Sequence, residues 1–291
     1  MPVFVTGGTG YIGRSVVRAL RNDAHVTRVL TRSDAAVSVA QGLGVEPVRG
    51  ELRDLDTLRA EAAHADAIVF LAQDNAEDGP AAARAALEVL LDALPQGRTF
   101  IYTSGVWVYG SRGDAVIAED APLAPLDLVA WRPAHEQLVL AQQGRLRTIV
   151  IRPGVVYGDG GGLPGMMAEA ARTGNLRIVG DGSNRWPTVR HDALAELYAR
   201  AVAHREVHGI FNATRGASVP YGEIAHAASR AAGGSGEIER IPLEAAREMM
   251  GTFADALAVD LQIDSGRATR ELGWEPHRPT LLEELSNTAV I

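Results

Sequence analysis

Residues 6–13 read TGGTGYIG and lie between an apolar stretch, PVFVT (2–6), and an amphipathic one, RSVVRALRN (14–22). A glycine run in that setting, closing a strand and opening a helix, permits few folds. Gly7 allows the tight turn, Gly10 leaves space where a pyrophosphate approaches, and Gly13 lets the helix pack closely on the sheet. Tyr11 and Ile12 then belong to the first helical turn, whose free N–H groups attract an anion. A purely structural turn would need only some of these glycines, whereas all three and both flanks fit phosphate binding.

The same rhythm continues to about residue 154. Apolar runs at 25–32, 45–52, 66–72, 98–104 and 147–154 alternate with amphipathic runs at 54–65, 80–94 and 133–143. Asp54 is placed to cap the first of these helices, and Pro80 and Pro133 stand in the first turns of the others. Alternation of this kind predicts an α/β fold, a doubly wound parallel sheet of Rossmann type with helices on both faces. Beyond Gly154 the chain turns glycine-rich in YGDGGGLPG (157–165) and then mixes short strands and helices. The expected division is a dinucleotide-binding unit of residues 1–156 plus about 189–212. A smaller C-terminal substrate lobe takes about 157–188 plus 213–291.

Composition removes several functions. The chain has 291 residues, 46% hydrophobic, with a formal charge of −8. An acidic surface repels nucleic acid and anionic membranes, so neither is an expected partner. No segment has the length of a transmembrane helix or the form of a signal peptide, which points to a cytoplasmic protein. Cysteine is absent, which excludes thiolate chemistry, and no metal site is expected. Lysine is absent too, so all 28 basic residues are arginine.

The end of the second strand selects the nucleotide. A carboxylate there, about 20 residues past the turn, would bind a ribose 2′-hydroxyl. This chain has Thr31, Arg32 and Ser33 instead. Nothing there repels a 2′-phosphate and Arg32 can pair with one, so NADP(H) is the expected cofactor, with NAD second. The competing reading makes Arg32 an ordinary solvated residue.

Other segments then fall into line: GEL (50–52), FLA (70–72), YTSGVWVYG (102–110), EDAPLAP (119–125), VIRPGVVYG (150–158), GDGSNRW (180–186) and ELGWEPHRPTLLEEL (271–285). With the glycine turn they resemble the extended short-chain dehydrogenases/reductases of the NAD-dependent epimerase/dehydratase group over nearly the whole length. The resemblance implies that Glu51 and Leu52 lie near the adenine. It also implies that Ala72 and Gln73 lie along the cofactor and that Pro153, Val155 and Val156 lie near the nicotinamide. It allows a monomer or a homodimer, the latter through the helices at 80–94 and 133–143.

The resemblance also implies a Ser–Tyr–Lys triad, in which a cation lowers the pKa of a phenol that moves the proton. Here the triad is missing. The family's serine falls on Gly105, with Ser104 one residue early. No tyrosine occurs between Gly110 and Val156. Matching a family helix glutamate to Glu136 puts Leu128 and Arg132 in the Tyr and Lys places. Matching an aromatic puts Trp131 and His135 there. Neither pair offers a titrating phenol, and arginine stays protonated. Remaining proton carriers are His135, the strand-end tyrosines Tyr157 and Tyr109, His191, and the loop carboxylates Asp74 and Asp159. Each has an ordinary structural role as its alternative. Trp186 stands where sugar-nucleotide relatives have an arginine, with Arg185 just before it. With Trp107 and Trp131 it suggests a small, apolar substrate.

Three functions follow. The first is an NADP(H)-dependent reductase with a non-standard proton donor. The second is a non-redox biosynthetic isomerase, cyclase or dehydratase on the same scaffold. The third is a catalytically inactive NADP-binding regulator.

Overall fold

The structure, a computed structural model, describes residues 1–234, 237–276 and 279–287. The parts of the expected lobe at 235–236, 277–278 and 288–291 lie outside the described residues.

Nine strands matter here: β1 (Pro2–Thr6), β2 (Val26–Thr31), β3 (Glu46–Arg49), β4 (Ala67–Phe70), β5 (Thr99–Thr103), β6 (Arg147–Pro153), β7 (Val155–Tyr157), β8 (Thr188–Arg190) and β9 (Gly209–Ala213). Seven form one parallel sheet in the order β9-β6-β5-β4-β1-β2-β3. The order reverses between β1 and β4, which opens a crevice at the carboxyl ends of these two strands. β7 and β8 pair in parallel as a separate small sheet.

Helices cover both faces. α1 (Tyr11–Asn22), α2 (Asp34–Gly42), α3 (Leu55–His64), α4 (Gly79–Ala93) and α5 (Arg132–Leu140) are followed by α6 (Gly162–Arg172) and α7 (His191–Ala203). Then come α8 (Tyr221–Ala231), α9 (Leu243–Met250), α10 (Phe253–Ala258), α11 (Gly266–Leu272) and α12 (Leu281–Asn287). One face buries Val3, Val5, Val29, Val69, Ile101 and Ile149 against α1 and α7. The other buries Phe4, Ile68, Phe70, Phe100 and Tyr102 against α3 and α4. Strands that are buried on both faces must be apolar at nearly every position, as DAIVFLA is. The expected Asp54 cap is present: its carboxylate accepts from the Thr57 amide at 3.3 Å. A third cluster gathers Val155, Tyr157, Ile178, Trp186, Tyr221, Ile224 and Leu281 beyond the sheet edge. Among the described residues no helix is long and apolar enough to cross a membrane.

Candidate active site

The turn between β1 and α1 is built from its glycines. Gly7 takes φ +73°, and a Cβ there would come within 2.7 Å of the Ala72 amide. A Cβ on Gly13 would overlap the Gly7 carbonyl, so the helix can approach the turn only through glycine. A Cβ on Gly10 would meet nothing nearer than the Gly7 oxygen at 3.2 Å, which leaves its outer side open. α1 starts at Tyr11 with no side-chain cap and no acidic residue in its first turn. The amides of Tyr11, Ile12 and Gly13 therefore head a helix with no acidic residue in its own first turn, and the cradle fits a diphosphate.

The end of β2 sorts its three candidates. The Thr31 hydroxyl is buried and donates to the Val48 carbonyl at 3.0 Å. Ser33 caps α2, accepting from the Ala36 amide at 3.2 Å. Arg32 is exposed between them. Glu51 is exposed and Leu52 buried at the end of β3. The Ala72 amide donates to the Thr6 hydroxyl at 3.4 Å, which ties the ends of β4 and β1 together.

At the carboxyl ends of β4 and β5 stands one arginine. Arg132 Nη1 donates to the Thr103 carbonyl at 3.0 Å and Nη2 to Gln73 Oε1 at 3.0 Å. The Trp131 ring lies 4.6 Å from the guanidinium carbon. The next turn of α5 is fixed from below by Glu136, whose carboxylate binds Arg152 Nε at 3.0 Å and Nη2 at 2.5 Å, both side chains fully buried. Glu136 thus points inward, and Arg132 stands at the sheet edge. Leu128, one turn earlier, is 36% exposed. One residue past β5, Ser104 Oγ is buried and has no hydrogen-bond partner among the described residues.

The other expected proton carriers lie elsewhere. His135 is neither solvated nor in the crevice. Its ring is 3% exposed, 4.8 Å from the Trp131 ring and 6.3 Å from that of Tyr102. Burial, helped by the charges of Arg84 and Arg132, pushes its pKa down to about 4, so it is neutral at physiological pH. The Tyr157 hydroxyl donates to the Pro279 carbonyl at 2.6 Å, and burial pushes the phenol up to about 12. Tyr109 is buried, accepts from Arg152 Nη1 at 2.7 Å and donates to Asn212 Oδ1 at 2.8 Å. Asp74 is held by Arg53, which keeps its carboxyl below the usual range. His191 Nδ1 lies 2.7 Å from Ser15 Oγ, and its Nε2 lies 3.2 Å from Asp159.

The tryptophans divide. Trp186 does not face a cleft. It is 1% exposed, stacks on Tyr221 at 4.3 Å and donates from Nε1 to the Leu257 carbonyl at 3.2 Å. Arg185 forms a two-pronged pair with Asp260 at 2.9 and 2.8 Å. Trp107 and Trp131 are half-buried. Sequence reasoning missed Tyr102, whose buried phenol touches Arg132 and lies 3.5 Å from His135 Nδ1. Only the strand's inward alternation could have pointed to it.

A model of the NAD dependent epimerase/dehydratase family matches residues 3–213. The chain belongs to this family. A Schizosaccharomyces pombe protein, uncharacterized C2A9.02, is 29% identical over 99% of both chains. A 4-hydroxy-2-methyl-3-oxo-4-farnesyl-3,4-dihydroquinoline-1-oxide ketoreductase of Stigmatella aurantiaca is 31% identical, covering 85% of this chain and 78% of its own. Among solved structures, human epimerase family protein SDR39U1 with NADPH superimposes with TM-score 0.77 at 23% identity, over 99% of each chain.

Proposed function

We propose that this family member is an NADP(H)-dependent reductase of a carbonyl group in a small, apolar substrate. The observation that carries the reading is Arg132, a fixed cation at the carboxyl ends of β4 and β5, in the place of the family's lysine. The Stigmatella aurantiaca ketoreductase and the NADPH held by the human relative are consistent with it.

The chain's residues divide the work. Tyr11, Ile12 and Gly13 offer amides to the diphosphate, and Arg32 offers a guanidinium to the 2′-phosphate. Glu51 and Leu52 border the adenine, while Ala72, Gln73, Pro153, Val155 and Val156 line the nicotinamide half. When bound, NADPH supplies the hydride. The Arg132 guanidinium stabilises negative charge on the substrate oxygen. Ser104 supplies a hydroxyl donor to that oxygen. Water delivers the proton, because Leu128 replaces the phenol and His135 and Tyr157 are engaged elsewhere. In this reading, residues 1–156 with about 189–212 hold the dinucleotide, and the rest shapes the substrate lobe.

Leu128 also favours a second reading, a non-redox isomerase, cyclase or dehydratase. One assay separates the two. With 3-oxo compounds bearing alkyl chains, the reductase consumes NADPH mole for mole with product. The second reading makes product without any change in nicotinamide absorbance.

A further inference from the structure

The glycine-rich segment after β7 does more than turn the chain. Gly158, Asp159, Gly160 and Gly162 all have positive φ, at +128°, +51°, +71° and +71°. The Gly161 amide donates back to the Gly158 carbonyl at 2.9 Å, closing a small strap. This strap is docked on the first residue of α1. Tyr11 Oη donates to the Gly158 carbonyl at 2.8 Å, and a Cβ on Gly161 would overlap the Tyr11 ring. A Cβ on Gly158 would overlap the His191 ring, which meets Tyr11 edge-on at 5.6 Å. Glycine is therefore required for contact as well as for conformation.

Asp159 fastens the strap. Its carboxylate lies 2.9 Å from Arg190 Nη2 and 3.2 Å from His191 Nε2. Its amide donates to Glu284 Oε1 at 2.9 Å, and Glu284 Oε2 binds Arg190 Nε at 2.6 Å. The other side of His191 reaches Ser15, one turn further along α1. The diphosphate turn, α7, α12 and the strap thus meet at one polar knot. Yet Asp159 is 66% exposed. Arg190 and His191 are only 17% and 7% exposed, so they stay packed, and the fastening opens at its solvent-facing Asp159 end without unfolding anything else.

We propose that residues 158–162 are a latch on the dinucleotide: docked on Tyr11 it slows cofactor exchange, and release of Asp159 from Arg190 and His191 opens it. The latch rests on the reading of the glycine turn as the dinucleotide site. Glycines on both sides of Asp159 supply the hinges.

The test is stopped-flow release of NADPH from the full chain, comparing wild type with Asp159→Asn and Gly161→Ala. Asparagine tolerates the left-handed conformation and removes only the charge. In both variants the dissociation rate rises about tenfold, and the association rate rises with it because the strap is docked without cofactor too. Backbone hydrogen exchange at 157–162, measured without cofactor, also accelerates in Asp159→Asn. Wild-type release matched by both variants overturns the latch and leaves the cofactor site standing. A wild-type chain that binds no NADPH removes the site, and the latch with it.

Discussion

The turn at 7–13 and the start of α5 at 128–136 serve one crevice, but they have been treated differently. The turn keeps every group that phosphate binding needs, and these are backbone amides and missing side chains. On the proposed reading, the start of α5 keeps its helix, its packing and its inward glutamate, while Leu128 and Arg132 stand where the family has its proton-transfer pair. Function carried by the backbone is bound to the fold, because changing Gly7 or Gly13 disturbs the sheet–helix junction itself. Function carried by side chains at 36% exposure, as at Leu128, can change while the fold stays intact.

The sharpest way to break this contrast is at Glu136. Glu136→Ala leaves Arg152 buried without its partner and lowers stability by about 3–5 kcal/mol in thermal or denaturant unfolding. If stability is unchanged, α5 is not held by this pair. Next is Arg132→Ala. Losing a fixed charge at the developing oxyanion lowers kcat by about 100- to 1000-fold, with NADPH still bound in a titration. Equal kcat would put the catalytic charge elsewhere.

His135 gives a pH signature. It titrates near 6.5 when unfolded and at about 4 when folded. Its folded pKa is depressed, so its contribution is complete above about 6.5 and is lost as pH falls toward 4. The unfolded chain takes up the proton first. The loss is on the order of 3 kcal/mol, and His135→Phe flattens that part of the stability profile. An unaltered profile would mean that other groups set it. The smallest effect is at Arg32. Arg32→Ala lowers the preference for NADPH over NADH about 10- to 100-fold in paired titrations. Unchanged preference would return Arg32 to the solvated surface.

The doubly wound parallel sheet and the glycine turn were legible because strand periodicity and glycine position are local signals. α2 was missed: its nine residues, DAAVSVAQG, bury only Ala40 and show little apolar stripe, although Ser33 is an ordinary cap. Trp186, Tyr157 and His135 read as candidates because tryptophan, tyrosine and histidine suit sites. Their burial is set by Tyr221, Pro279 and Tyr102, partners brought in by tertiary packing. The register of α5 had two solutions in the sequence. Glu136 on Arg152, and Arg132 on Thr103 and Gln73, depend on contacts that no spacing rule reports. The link from Ser15 through His191 to Asp159 joins α1, α7 and the loop after β7 in the same way.

In the proposed reaction the cofactor end is intact, the fixed charge of Arg132 stands in the lysine's place, and Leu128 leaves no titrating acid beside it. This is tested most directly by the pH dependence of NADPH consumption with a 3-oxo substrate, in wild type. One NADPH is then oxidised per product formed, and kcat shows no ionisation between pH about 6 and about 9, since no phenol, ammonium or imidazole takes part. Product formed with no loss of NADPH, or a kcat that follows a single protein ionisation in that range, would contradict it.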